Sequence, residues 1–190
     1  MRPRLVALCL LFASACTHAD DKLIGTSPPE WQLEQWHNSK PQALKDLKGK
    51  VVLVRWWMAG GCPFCIATAP ALNEFHDHYR DQGLVVIGVY HHKSPQPLAA
   101  GEMEQAARKL GFKFPVAIDP IDSDALRPTS WRTLRRWWLE GHERDWTSVT
   151  FLLDREGKVR HIHPGGQYVK GDREYDALKA KIEELLKEGK

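Results

Sequence analysis

Cysteine is scarce in this chain of 190 residues: there are four, Cys9, Cys16, Cys62 and Cys65. That number excludes a scaffold stapled by several disulfides. No second C-x-x-C or C-x-x-H accompanies Cys62 and Cys65, so a structural zinc site, which takes four ligands, has only half of what it needs. Long apolar runs are missing as well; the run from Leu5 to Phe12 is too short to span a bilayer. Neither sign of charge dominates, with 27 Lys and Arg against 24 Asp and Glu and a net charge of +3. The sequence has no basic block of the kind nucleic acid requires, which argues against nucleic acid as a partner. Internal repeats, low-complexity tracts and linkers are also absent, leaving one folded domain.

What is present begins with a leader. Arg2 and Arg4 form a basic n-region, Leu5 to Phe12 an apolar h-region, and Ala13-Ser14-Ala15 a small-residue cleavage site, the pattern of a secretory signal. The expected boundaries are a signal over 1–19, cut near 15 to 19, and a mature domain over 20–190. Ala13-Ser14-Ala15-Cys16 also resembles a bacterial lipoprotein box, with Ala13 where Leu is usual, which makes a lipid anchor at Cys16 the alternative. Either way the expected product is exported, to a bacterial periplasm, soluble or membrane-anchored. Loss of Arg2 and Arg4 lowers the formal charge from +3 to about +1. Cys62 and Cys65 are then the pair left to react, in an oxidising compartment.

Cys62-Pro63-Phe64-Cys65 follows the apolar run Val51-Val52-Leu53-Val54 and precedes a segment with helical spacing. A strand that delivers C-x-x-C to a helix N-terminus places the first sulfur among unpaired backbone N–H groups, at the positive end of the helix dipole, which favours thiolate over thiol. Cys62 is then the nucleophile. Cys65, one turn on, is close enough to attack a mixed disulfide formed by Cys62 and release the product. The competing readings are half of a zinc site and an inert structural disulfide, whose tiny loop gives little entropic stabilisation.

Along the rest of the chain, Trp31 and Leu33 alternate as in a short edge strand, and Val51 to Trp57 reads as a strand covered on both faces. From Pro63 to about Gln82, Ala67, Ala71, Leu72, Phe75 and Tyr79 recur at helical spacing; Gly83 supplies the stop and Pro70 an internal kink. Leu84 to Tyr90 and Phe114 to Ile118 read as strands around a helix from Glu102 to Leu110. Ser130 to Trp146 carries Trp131, Trp137, Trp138 and Trp146 among arginines, either a helix burying indoles or a partner-binding face. Val149 to Leu153 and Val159 to His163 flank the hairpin signal Asp154-Arg155-Glu156-Gly157, and Tyr175, Leu178, Ile182 and Leu185 mark a closing helix. The expected fold class is α/β, a central mixed sheet with helices on both faces.

This order, with C-x-x-C between the first strong strand and a Pro-containing helix, resembles the thioredoxin-like fold, and within it the exported TlpA-like and ResA-like thiol-disulfide oxidoreductases of the redoxin group. The segment from Leu44 to Val54 is similar to that family's lead-in strand, Trp57 to its active-site aromatic, Cys62 to Cys65 to its dithiol, and Phe151-Leu152-Leu153-Asp154 with Gly157-Lys158 to its late hairpin. The resemblance implies a monomer that exchanges disulfides with protein thiols or disulfides, with no small-molecule cofactor and no metal. It implies catalytic roles for Cys62 and Cys65, with Trp57, Pro63, Phe64, Ser148 and Arg55 as substrate-binding or tuning residues.

The chain departs from that pattern at several positions. Ser148 stands where the family usually has a cis-proline, and its hydroxyl or N–H is expected to point toward Cys62 or an incoming substrate. Thr68 replaces a frequent glutamate, and Gly60-Gly61 replaces a Trp before the first cysteine, opening the approach to Cys62. Arg55 matches the position of thioredoxin's buried acid, where a cation would favour the Cys62 thiolate; the alternatives are that it snorkels to solvent or pairs with an acid. Asp119, His91, His92, His161 and His163 are candidates to approach the dithiol end of the sheet. They support an alternative reading as a copper carrier similar to the SCO proteins, although those space their cysteines with three residues between them. A thiol peroxidase-like redoxin is the other alternative, weakened because Ala59 stands three residues before Cys62 in place of the peroxiredoxin threonine.

Overall fold

The computed structural model describes residues 23–28, 30–58, 61–91, 99–120 and 148–188. The leader with Cys9 and Cys16, Ala59, Gly60, His92 and the Trp-rich stretch from 130 to 146 lie outside the described residues.

Six strands, β1 (Glu34–His37), β2 (Val51–Trp57), β3 (Leu84–Tyr90), β4 (Val116–Ile118), β5 (Thr150–Leu153) and β6 (Val159–His163), form one sheet in the order β1-β4-β3-β2-β5-β6. The inner strands β2, β3 and β4 run parallel. β1, β5 and β6 join antiparallel, so the sheet is mixed. Among the described residues three helices accompany it: α1 (Pro63–Tyr79), α2 (Glu102–Lys109) and α3 (Arg173–Lys187).

β2 is buried at all seven positions, as a continuous apolar run requires. Its side chains alternate between two cores. Val51, Leu53 and Trp57 join Phe75 and Tyr79 of α1, Met103 and Ala107 of α2, and Leu178, Ile182 and Leu185 of α3. Val52, Val54 and Trp56 face the other way, where Trp31, Leu47 and the partly buried Trp36 and Leu44 cover the sheet. Arg55 therefore points to the same side as α1.

The elements differ from the sequence reading at their edges. The first strand lies at Glu34–His37, past Trp31 and Leu33, because Trp31 is anchored to the second core and its Nε1 donates to the Gln42 carbonyl at 2.7 Å. β4 starts at Val116, because Pro115 has no N–H to give to a ladder. α1 ends at Tyr79 and passes into a 3-10 turn, Arg80–Gln82, closed by Gly83 at φ 105°. Pro70 lies inside α1, and Asp172 caps α3 by accepting from the Tyr175 N–H at 2.7 Å.

Candidate active site

β2 ends at Trp57, and Cys62 follows as the N-cap of α1. Cys62 has the extended backbone of a cap residue (φ −60°, ψ 106°), and Pro63 occupies the first turn, where its missing N–H costs nothing. The Cys62 sulfur takes the place of a capping oxygen: Cys65 N–H donates to it at 3.2 Å. One otherwise orphaned helix donor is thus aimed at the sulfur where negative charge develops. The Cys62 and Cys65 sulfurs lie at disulfide distance, with Cα atoms 5.3 Å apart.

The two cysteines are unequally accessible. Cys62 is partly exposed, whereas Cys65 is 3% exposed and belongs to the core beneath α1. A groove of about 580 Å³ opens beside them, lined in part by Met58, Cys62, Cys65, Ile66, Gln105 and Leu110. Pro63 is exposed, Phe64 is 37% exposed and Ile66 55%, an apolar rim next to the reachable sulfur. Trp57 is different. It is 1% exposed and packs edge-on against Tyr90 and Phe112, both with ring centroids at 5.1 Å. Trp57 is thus buried beneath the dithiol, while Phe64 is an exposed aromatic at its rim.

Ser148 is buried just before β5, and its hydroxyl lies 3.7 Å from the Cys65 sulfur. The contact is with Cys65, where the sequence suggested Cys62 or the substrate, because Ser148 lies under α1 and Cys65 is the cysteine that faces the core. The peptide bond before Ser148 involves Thr147, outside the described residues.

Arg55 is 1% exposed and neither snorkels nor meets an acid among the described residues. Its guanidinium donates to Thr150 Oγ1 at 3.1 Å and to the Gly166 carbonyl at 2.7 Å, and it lies 5.2 Å from the centre of the Tyr168 ring. The Tyr168 hydroxyl in turn lies 3.3 Å from Thr150 Oγ1, and the Tyr168 N–H donates to Thr68 Oγ1 at 3.4 Å. Burial pushes the Arg55 pKa down and the Tyr168 pKa up, so Tyr168 stays neutral beside a retained cation.

The histidines divide. His91 follows β3 at the dithiol end of the sheet, its N–H donating to the Trp57 carbonyl at 2.9 Å, and Asp119 follows β4 there. His163 pairs with Thr150 across the β5–β6 ladder and packs against Tyr168. Burial first, and then the Arg55 charge, lower the His163 pKa to about 3, so it is a neutral imidazole. His161 is also lowered by burial. No group of three or more His, Cys, Asp or Glu side chains placed to hold a metal occurs among the described residues.

Thr150, Gly166 and Tyr168 are the site residues that sequence reading missed. A signal existed for one of them. Ser148 and Thr150 are two hydroxyl residues at i and i+2 beside Val149, Phe151 and Leu153, which reads as a polar patch on one face of an apolar strand. Tyr168 carries no such signal, since it reaches the cluster from the loop after β6.

Known proteins resemble this chain in sequence and in fold. A family model described as Redoxin matches residues 24–179. Protein DipZ of Mycobacterium bovis is 31% identical over 169 residues, which are 87% of this chain and 21% of DipZ, so the chain spans about a fifth of that relative. The thiol-disulfide oxidoreductase ResA of Geobacillus thermodenitrificans is 25% identical over 155 residues, 82% of this chain and 77% of ResA. The crystal structure of a thiol-disulfide isomerase from Corynebacterium glutamicum superposes with a TM-score of 0.65 at 25% identity, covering 85% of this chain and 96% of that one. The fold is the α/β thioredoxin fold.

Proposed function

This chain belongs to the redoxin family, and we propose that it is an exported thiol-disulfide oxidoreductase exchanging disulfides with partner proteins through Cys62 and Cys65. The observation that carries the reading is the Cys65 N–H donating to the Cys62 sulfur at 3.2 Å, on a cysteine that solvent reaches while its partner is buried. It supports Cys62 as the sulfur that attacks or is attacked, and Cys65 as the one that resolves.

When the chain oxidises a partner, a partner thiolate attacks the Cys62 sulfur and the Cys62–Cys65 bond breaks, its electron pair leaving on Cys65. The partner's second thiolate then attacks the partner sulfur of the mixed disulfide, and Cys62 leaves as thiolate. Two electrons pass from partner to chain. In the reverse direction, the Cys62 thiolate attacks a partner disulfide and Cys65 displaces the reduced partner. Pro63, Phe64 and Ile66 give the partner an apolar footing beside the reacting sulfur, and Ser148 offers a hydroxyl to Cys65.

The test mixes the oxidised chain with a reduced, unfolded substrate protein, alkylates free thiols and counts them on both proteins by mass. Wild-type protein should hand its disulfide over, and Cys62→Ala should reduce the exchange to the uncatalysed background. Failure in both directions, the wild-type disulfide persisting beside reduced substrate and the reduced chain leaving an oxidised substrate untouched, would refute the reading.

The export signal lies in residues 1–19, cut near 15 to 19, and the domain over 20–190 is a periplasmic monomer, soluble or, where the cut falls before Cys16, held by a lipid on that cysteine. Arg2, Arg4, the apolar run to Phe12 and Ala13-Ser14-Ala15 support this. Mass spectrometry of the N-terminus should find a chain beginning near Cys16 or Asp20. An added diacylglycerol on Cys16 selects the anchored form, and an intact Met1 in the exported fraction would rule out cleavage.

A further inference from the structure

We propose that Arg55 is a positioning residue whose buried charge stabilises the Cys65 thiolate and so tilts the dithiol toward oxidising its partners. This rests on the oxidoreductase reading above. Several elements surround the guanidinium. From β5 it meets the Thr150 hydroxyl, from the loop after β6 the Gly166 carbonyl and the Tyr168 ring, and from β6 the neutral His163. α1 contributes Thr68, which holds Tyr168. The other titratable groups at this cluster, Asp172, Glu174 and His161, act on His163. No carboxylate among the described residues shifts or pairs with Arg55, although its burial is complete.

Arginine does not escape such a site by losing its proton, so the charge stays. An unpaired buried cation is costly to a fold, and replacing buried ions by apolar residues is often neutral or stabilising. A negative group, which the described residues do not place beside Arg55, is supplied when the disulfide is reduced. Ser148 lies two residues before Thr150, just ahead of β5, a spacing that in extended backbone puts both side chains on one face about 6.6 Å apart. Ser148 touches the Cys65 sulfur and Thr150 touches the guanidinium. The cation therefore lies on the order of 10 Å from Cys65, through protein interior where salt screens weakly.

Reduction by two equivalents of glutathione balances as follows: the Cys62–Cys65 bond breaks, the chain gains two electrons, and one glutathione disulfide forms. The chain is left with one thiol and one thiolate, and one proton goes to solvent. The two sulfurs share that negative charge: the Cys65 N–H favours it on Cys62, Arg55 favours it on Cys65, and the share held by Cys65 lowers the energy of the reduced form and makes Cys65 the better leaving group when a partner attacks Cys62.

Equilibration of wild-type, Arg55→Met and Arg55→Gln proteins with glutathione at neutral pH reads this out. Both variants should be reduced with an equilibrium constant at least tenfold smaller, a potential about 30 mV lower. Gln keeps hydrogen-bonding capacity without charge, so a role confined to hydrogen bonding would leave its potential at the wild-type value. A second measurement does not need Arg55 to be replaced. In Cys62→Ser protein, the Cys65 thiol followed by thiolate absorbance should titrate below the ordinary value of about 8.5, whereas burial alone raises it.

Variant potentials within twofold in equilibrium constant of wild type, or a Cys65 thiol at or above its ordinary value, would overturn the role of Arg55 and leave the oxidoreductase reading intact. A wild-type dithiol that fails to equilibrate with glutathione at all would overturn both.

Discussion

Cys65→Ser protein should accumulate partner proteins bound covalently through Cys62, and Cys62→Ser protein should accumulate essentially none. The asymmetry follows from where each sulfur sits. Cys62 caps α1, accepts the Cys65 N–H and is partly exposed beside an apolar rim, whereas Cys65 is 3% exposed and touches buried Ser148. A serine at position 65 leaves Cys62 able to form a mixed disulfide but removes the sulfur that releases it, so the intermediate lifetime lengthens from transient to persistent. The backbone donor stays in place, because residue 65 supplies it from its N–H. In Cys62→Ser, the remaining thiol has no open approach for a folded partner. Non-reducing electrophoresis after acid quench checks both variants. Equal trapping by the two, or trapping by neither in an extract containing oxidised substrates, would show that the attacking and resolving roles are wrongly assigned.

The parts of this molecule that the sequence made legible are those where one local rule sufficed. β2 reads as an unbroken apolar run because both of its faces are covered, and α3 reads from Tyr175, Leu178, Ile182 and Leu185, all of them buried. The dithiol is legible because C-x-x-C before a helical pattern implies its own geometry: a cap sulfur and a second sulfur one turn on. Local rules fail where long-range contacts decide. Trp31 looks like part of a strand but is held by the second core, while the actual β1 has Gln35 at φ 48° and is followed by Asn38 at φ 65°, an irregularity no alternation pattern signals. Arg55 is the clearest case. Its neighbours in sequence say only that a charge interrupts an apolar strand, and the usual outcome is a side chain that reaches water. What buries it arrives from 95 and 111 residues further on, at Thr150 and Gly166.

The cluster behind α1 also predicts acid lability, with His163 as its source. His163 is buried, its Nε2 lies 3.7 Å from a carboxylate oxygen of the more exposed Glu174, and its pKa is lowered to about 3, first by burial and then by the Arg55 charge. Glu174 would favour the protonated ring, but it lies at the surface, where water screens it, and the burial effect prevails. In the unfolded chain the same histidine has its ordinary pKa near 6.5. Between about pH 6.5 and 3, then, the unfolded state binds the proton and the native state does not, so stability falls as pH falls through that window. At pH 4.5, two pH units below the unfolded value, the loss should be about 2 to 3 kcal/mol. Urea unfolding at pH 7.5 and at pH 4.5 measures it. His163→Gln cannot take up the proton and should lose less stability over that interval by about this amount, the remainder coming from groups such as His161 and His76, whose pKa values burial also lowers. In an Arg55→Met background the cation no longer opposes protonation, so the His163 pKa should rise and adding His163→Gln should change the acid loss by less than it does in wild type. Parallel losses in wild type and His163→Gln from pH 7.5 to 4.5 would mean that His163 takes up its proton as readily in the native state as in the unfolded chain.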